Sequence, residues 1–131
     1  MRKRIKAKKL SRSRDQRKAL KKSLISEFFL HGKIKTTEAK AKEIQPLIEK
    51  FITKAKSVNY SKTDEDNKDK AKGGVSQRRL LGKLFSVEIV KKIIEEIAPQ
   101  FKNRNGGYTR IIKIGARKSD SAKIAIIELV K

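Results

Sequence analysis

Arg104-Asn105-Gly106-Gly107-Tyr108-Thr109-Arg110-Ile111-Ile112-Lys113-Ile114-Gly115, followed after a polar turn by Ala122-Lys123-Ile124-Ala125-Ile126-Ile127-Glu128-Leu129-Val130, is the stretch on which the fold turns. Both runs are rich in β-branched residues, which suit a pleated backbone, and Arg117-Lys118-Ser119-Asp120-Ser121 between them supplies turn chemistry. The pair predicts a β-hairpin at the end of the chain. Alternation sets Arg110, Ile112 and Ile114 on one face of the first strand and Thr109, Ile111 and Lys113 on the other. The second strand is apolar on both faces, so the pattern leaves open which face the rest of the chain covers. Gly106-Gly107 permits positive φ and close backbone approach. A phosphate or ribose could sit against amides there, with Arg104 and Arg110 supplying charge and Tyr108 a stacking surface; an ordinary turn is the competing reading.

Upstream the period changes from strand to helix. Ser13 and Gln16 have capping-box spacing, Leu20, Leu24, Ile25, Phe28 and Phe29 form an apolar stripe, and Gly32 offers a left-handed C-cap. Lys33 to Thr36 predicts a short strand around Ile34, and Thr36 or Thr37 can cap the helix whose stripe is Ala41, Ile44, Ile48, Phe51, Ile52 and Ala55. Pro46 lies inside that helix and removes one backbone hydrogen bond. Residues 57–76 read as a hydrated polar loop ending in Gly73-Gly74. Two more helices follow, one turning Leu81, Leu84 and Phe85 inward, the next capped by Ser86, striped by Ile89, Val90, Ile93, Ile94 and Ile97, and ended by Pro99. The expected fold is α+β: helices packed on a small mixed sheet in two layers, ordered α-β-α-α-α-β-β.

Composition bounds the function. A chain of 131 residues carries one modest core, and its formal charge of +22, from 36 Lys and Arg against 14 Asp and Glu, calls for a polyanionic partner to relieve self-repulsion. Met1 to Arg12 holds seven of those cations and too little apolar surface to offset its ordering entropy, so it reads as a nucleic-acid-binding arm that is disordered alone, ahead of a single domain over 13–131. Cysteine is absent, which removes disulfides, thiolate metal sites and cysteine nucleophiles. No apolar stretch approaches the length of a spanning helix, and no h-region follows the basic start, so the expectation is a soluble cytoplasmic protein with no membrane partner. His31, the only histidine, falls in a last helical turn, where it suits the dipole better than catalysis. Glu95 and Glu96 are adjacent and diverge, so they are no carboxylate pair. With no phosphate-binding Gly-rich motif and no metal cluster, an enzyme is not expected, nor a cofactor or small-molecule substrate.

The run Asn105-Gly106-Gly107-Tyr108-Thr109-Arg110-Ile111, followed by Lys113 and the closing Ile127-Glu128-Leu129-Val130, resembles the signature of the bacterial large-subunit ribosomal protein seventeen family. Met1-Arg2 with Leu10, Ile34-Lys35-Thr36-Thr37 before Lys40-Ala41-Lys42-Glu43, and Lys83-Leu84-Phe85 before Ile97-Ala98-Pro99 match in the same order. The resemblance implies a structural constituent of the large ribosomal subunit that binds ribosomal RNA near the peptide exit tunnel, beside other ribosomal proteins. Candidate RNA contacts are then Arg2, Lys3, Arg4, Lys6, Lys8, Lys9 and Arg12 in the arm, and Arg14, Arg17, Lys18 and Lys21 on the first helix. Lys35 on the short strand and Arg104, Gly106, Gly107, Tyr108 and Arg110 at the hairpin complete the set. The alternative is a free-standing basic DNA-binding or nucleoid-type architectural protein. A helix-turn-helix with its short Gly-containing turn would favour that reading, and none is evident.

Overall fold

The structure, a computed structural model, describes residues 8–63, 79 and 81–130. The expected contacts at Arg2, Lys3, Arg4 and Lys6, and most of the loop expected over 57–76, lie outside the described residues. Helix α1 spans Arg14–His31, strand β1 Lys33–Thr37 and helix α2 Glu38–Thr63. A helical turn at 81–84 precedes α3, which joins Val87–Lys92, a π-helical Ile93–Ile97 and Ala98–Gln100. The chain closes with β2 (Thr109–Ala116) and β3 (Lys123–Leu129).

The predicted hairpin is present, and its second strand lies in the middle of the sheet, in the order β1-β3-β2. Both pairings are antiparallel, Ile34 opposite Ile127 on one side and Ile111 opposite Ile127 on the other. A mixed sheet would need β1 beside β2, which run the same way; β3 inserts between them and is antiparallel to both. The architecture is therefore α+β as expected, with an antiparallel sheet in place of a mixed one. The β2–β3 register slips between Lys113 and Gly115, so Ile114 is the extra residue of a bulge, and Gly115 takes φ 128° there.

Helix α2 lies against all three strands on one side and against α3 on the other. Its stripe explains the placement: Ala41, Ile44, Ile48, Ile52 and Ala55 are all at most 1% exposed. Pro46 sits within α2, and the helix continues through it because that buried stripe outweighs one missing hydrogen bond. The same helix extends beyond the start expected for the polar loop: residues 57–63 are helical, and Val58 is buried in the core. Around this axis Phe28, Phe29, Phe85 and Phe51 pack edge to face at centroid distances of 5.0–5.9 Å.

The helix ends follow the sequence only in part. Gly32 takes φ 74° and donates its N–H to the Phe28 carbonyl, as a left-handed C-cap should. Ser13 and Ser86 sit at N-caps in extended conformation, and neither makes a side-chain cap bond, so the expected capping box is not closed; Asp15 complements the first turn of α1 electrostatically. Pro99 does not end α3. Its ring would collide with the carbonyl four residues back in a regular turn, and the helix widens just before it, Ala98 N–H reaching Ile93 O, so the run carries on to Gln100. Among the described residues, no helix is long and apolar enough to cross a membrane.

Candidate nucleic-acid interface

The base of the N-terminal arm is folded onto the domain. Leu10 and Ser11 take positive φ (53° and 50°), turning the chain so that Arg17 Nη1 donates to the carbonyls of Lys9 (3.2 Å) and Arg12 (3.4 Å). Glu43 on α2 accepts from the Lys8 backbone N–H at 3.3 Å and from Lys21 Nζ at 2.5 Å. Burial alone would raise the Glu43 carboxyl, but the bond from Lys21 and that from Lys8 together hold it below its usual range. Lys8, Lys9, Arg12, Arg14 and Lys18 are solvent-exposed along this anchored arm base and the first turns of α1. Arg17 and Lys21 are half-buried and mainly hold the arm's base in place.

The Gly-Gly loop is built differently. Lys56, only 9% exposed, donates Nζ to the Arg104 carbonyl at 2.5 Å and to the Tyr108 hydroxyl at 3.3 Å, with its ammonium 5.3 Å from the Tyr108 ring centre. Arg104 Nε bonds the Gly106 carbonyl at 3.2 Å across the turn. Gly107 takes φ 62°, and a Cβ there would meet open space, so its requirement is conformational and not steric crowding. Tyr108 does not offer a stacking face. Its ring is 2% exposed and packs against Phe101 at 5.1 Å, so this part of the expected interface is core.

On the hairpin, Thr109 turns inward to Glu49, whereas Arg110 lies outside and donates Nε to Glu128 at 2.6 Å. Lys35 is exposed on the same outer face, opposite Ile126. Arg104, Gly106 and Gly107 are exposed as expected. The structure thus gathers the candidates into separate clusters: arm base and α1, Gly-Gly loop, and the outer face of the sheet.

Two residues organise these clusters without having a role assigned from the sequence: Glu43, which appears there only within the run Lys40-Ala41-Lys42-Glu43, and Lys56. Lys56 follows Ala55 and lies four residues after Ile52, at the margin of the buried α2 stripe, which is the one sequence signal that could have found it. His31 pairs with Glu27 at 3.2 Å on the exposed end of α1, and Glu95 and Glu96 are exposed. Among the described residues, no group of three or more His, Asp or Glu is placed to hold a metal ion.

The profile of the family described as ribosomal protein L17 matches residues 20–130. The chain is 44% identical over 140 residues to large ribosomal subunit protein bL17 of Kosmotoga olearia, covering all of this chain and 94% of that one. It is 45% identical over 131 residues to the bL17 of Petrotoga mobilis, covering 99% and 97% of the two chains. Against bL17 of a Thermoanaerobacter species, identity is 42% over 122 residues, covering 93% and 96%. With the hairpin and the Gly-Gly loop inside the family match, and the relatives' alignments reaching over nearly the whole chain, the chain belongs to the ribosomal protein L17 family.

Proposed function

We propose that this protein is a structural constituent of the large ribosomal subunit whose basic surfaces bind and stabilise folded ribosomal RNA. The observation that carries the reading is the distribution of charge within a +22 chain. Three carboxylates near the candidate surfaces are engaged by neighbouring cations, Glu43 by Lys21, Glu128 by Arg110, and Asp120 by Arg117, and Asp15 is outnumbered by the five exposed cations around it. The exposed Lys8, Lys9, Arg12, Arg14 and Lys18 therefore face solvent as a cationic surface that a phosphate backbone complements. In sequence, Arg2, Lys3, Arg4 and Lys6 add four more cations directly before Lys8. A position beside the peptide exit tunnel, among other ribosomal proteins, follows from the family resemblance alone.

Fractionating a cell lysate on a sucrose gradient tests this reading. The chain should sediment with large subunits and leave them only at high salt; recovery with the nucleoid instead would favour a DNA-architectural role. Isolated protein should bind structured RNA with log affinity falling by about 0.9 per neutralised phosphate for each unit of log salt. Deleting residues 1–7 should reduce incorporation into large subunits, because cations that meet phosphate are lost while the bonds of Lys8 and Lys9 to Glu43 and Arg17 are kept.

A further inference from the structure

The outer face of the sheet carries a strip of solvent-exposed isoleucines among its charged residues. Ile112 is 42% and Ile114 is 51% exposed, and Ile124 and Ile126 on β3 look the same way, since Ala125 and Ile127 between them are buried. At one end of this face the bulge at Ile114 opens a cleft of about 460 Å³ lined by Lys35, Thr37, Lys40, Ile114, Arg117 and Ile124. That volume lies within the range of about 300–1,000 Å³ typical of small-ligand sites. Ile114 and Ile124 supply its aliphatic lining, and Lys35, Thr37, Lys40 and Arg117 its polar and cationic part.

The charges around the cleft decide what could fill it. Glu38 accepts from Lys42 at 2.5 Å and lies 3.5 Å from Lys113, Glu128 is paired with Arg110, and Asp120 accepts two bonds from Arg117 at 2.9 and 2.5 Å. With those carboxylates matched, Lys35 and Lys40 leave the local field positive. An acidic partner is complementary; a neutral apolar segment would leave those ammonium groups partly desolvated and unmatched. Phe28, Phe29, Phe85, Phe101 and Tyr108 are all buried, so none of these rings offers a stacking face to a base, and aliphatic contact beside cations is the alternative. Ile114 and Ile124 are where such contact adjoins cations.

We propose that this cleft receives an unpaired nucleotide of RNA, its base or ribose resting on Ile114 and Ile124 and its phosphate held by Lys35 and Lys40. Paired nucleotides do not fit this chemistry, because their faces are stacked and only a splayed nucleotide can present one to a side chain. The Thr37 hydroxyl of the lining can bond a ribose hydroxyl or phosphate oxygen. The inference rests on the RNA-binding reading and names one subsite within it.

Two measurements on the full chain test it. The first compares binding to an RNA hairpin with an unpaired loop and to a fully paired duplex of equal charge. Wild type should prefer the hairpin, and Lys35→Ala combined with Lys40→Ala should abolish that preference and flatten the salt slope on single-stranded RNA by about 0.7 per lysine. An undiminished preference in the double variant overturns the subsite. The second exploits the absence of cysteine from the chain: Ile114→Cys, carrying a short photoactivatable cross-linker, is assembled into large subunits. A cross-link to an unpaired ribosomal RNA nucleotide supports the proposal, whereas one to another ribosomal protein, or none to RNA, overturns it while leaving the ribosomal reading intact. If the labelled chain never enters large subunits and wild type does not either, the ribosomal reading falls, and the hairpin comparison still decides the cleft.

Discussion

β3 presents two faces of nearly equal hydropathy to opposite environments. Ala125 and Ile127 are wholly buried beneath α2, while Ile124 and Ile126 look outward beside Ile112 and Ile114 of β2. On the inner face, apolar burial makes the fold; on the outer face, the same residue type is left for something else to cover. Ile127→Ala and Ile112→Ala separate the two. Ile127 is 0% exposed, and its truncation should cost about 2–5 kcal/mol in urea unfolding, by lost transfer energy and the cavity left behind. Ile112, 42% exposed, should cost about 1 kcal/mol or less. Equal losses would mean that the outer face is packed in the free protein and unavailable to a partner.

The next effect in size concerns Lys56, where the buried side of the domain reaches the Gly-Gly loop. Lys56→Met keeps most of the aliphatic stem and deletes the ammonium, so the Arg104 carbonyl and Tyr108 hydroxyl lose their donor. Stability should fall by about 1–3 kcal/mol, and amide exchange should quicken over 104–108 before it does in β3. Uniform quickening across the sheet would show that Lys56 supports the whole core and not the loop.

Much of this arrangement is legible in the sequence where a period is long enough to read. Ile44, Ile48 and Ile52 predict their own burial because a helix repeats every 3.6 residues. The hairpin's turn is marked by Arg117 to Ser121. The position of β3 between β1 and β2 is not legible, because Ile34 and Ile127 meet across the length of the chain and no local pattern encodes that pairing. Tyr108 misleads for a related reason: beside two glycines and two arginines it resembles a surface ring, and only the tertiary contact with Phe101 and Lys56 decides otherwise. Helix α2 outruns the stripe read from the sequence because Val58, three residues after Ala55, carries the buried face further. The cationic cleft joins Lys35, Lys40 and Arg117 from three separate elements, so it exists only once the sheet has formed.

Arg110→Ala should have a smaller effect on folding. The Arg110 side chain is 62% exposed, and such a pair with Glu128 contributes about 0.2–1 kcal/mol, screened further by salt. Its larger consequence should fall on RNA binding, since an unpaired Glu128 would repel phosphate next to the outer face. Arg110→Ala should therefore weaken RNA binding, and Arg110→Ala with Glu128→Gln should recover part of the loss. A marked drop in the unfolding midpoint with RNA affinity intact would assign Arg110 to the inner, structural side of the comparison.

The smallest effect belongs to the turn that carries Arg117 to the cleft. Asp120 accepts two bonds from the Arg117 guanidinium and one from the Ala122 N–H, and these lower its carboxyl from the ordinary 3.8 to about 2. Because the folded value is the lower one, the turn's contribution is fully present above about 3.8 and is lost as pH falls from there through about 2. Both side chains are about half exposed, so the change in global stability should be slight and the signal local. Following the Asp120 carboxyl by NMR should give a midpoint near 2 in the wild type, with the 117–122 amides shifting in step. In Arg117→Ala the midpoint should move back up towards 3.8. A wild-type midpoint already at the ordinary value would show that Arg117 is not held by Asp120, and the guanidinium would then join Lys35 and Lys40 as a third cation on the outer face.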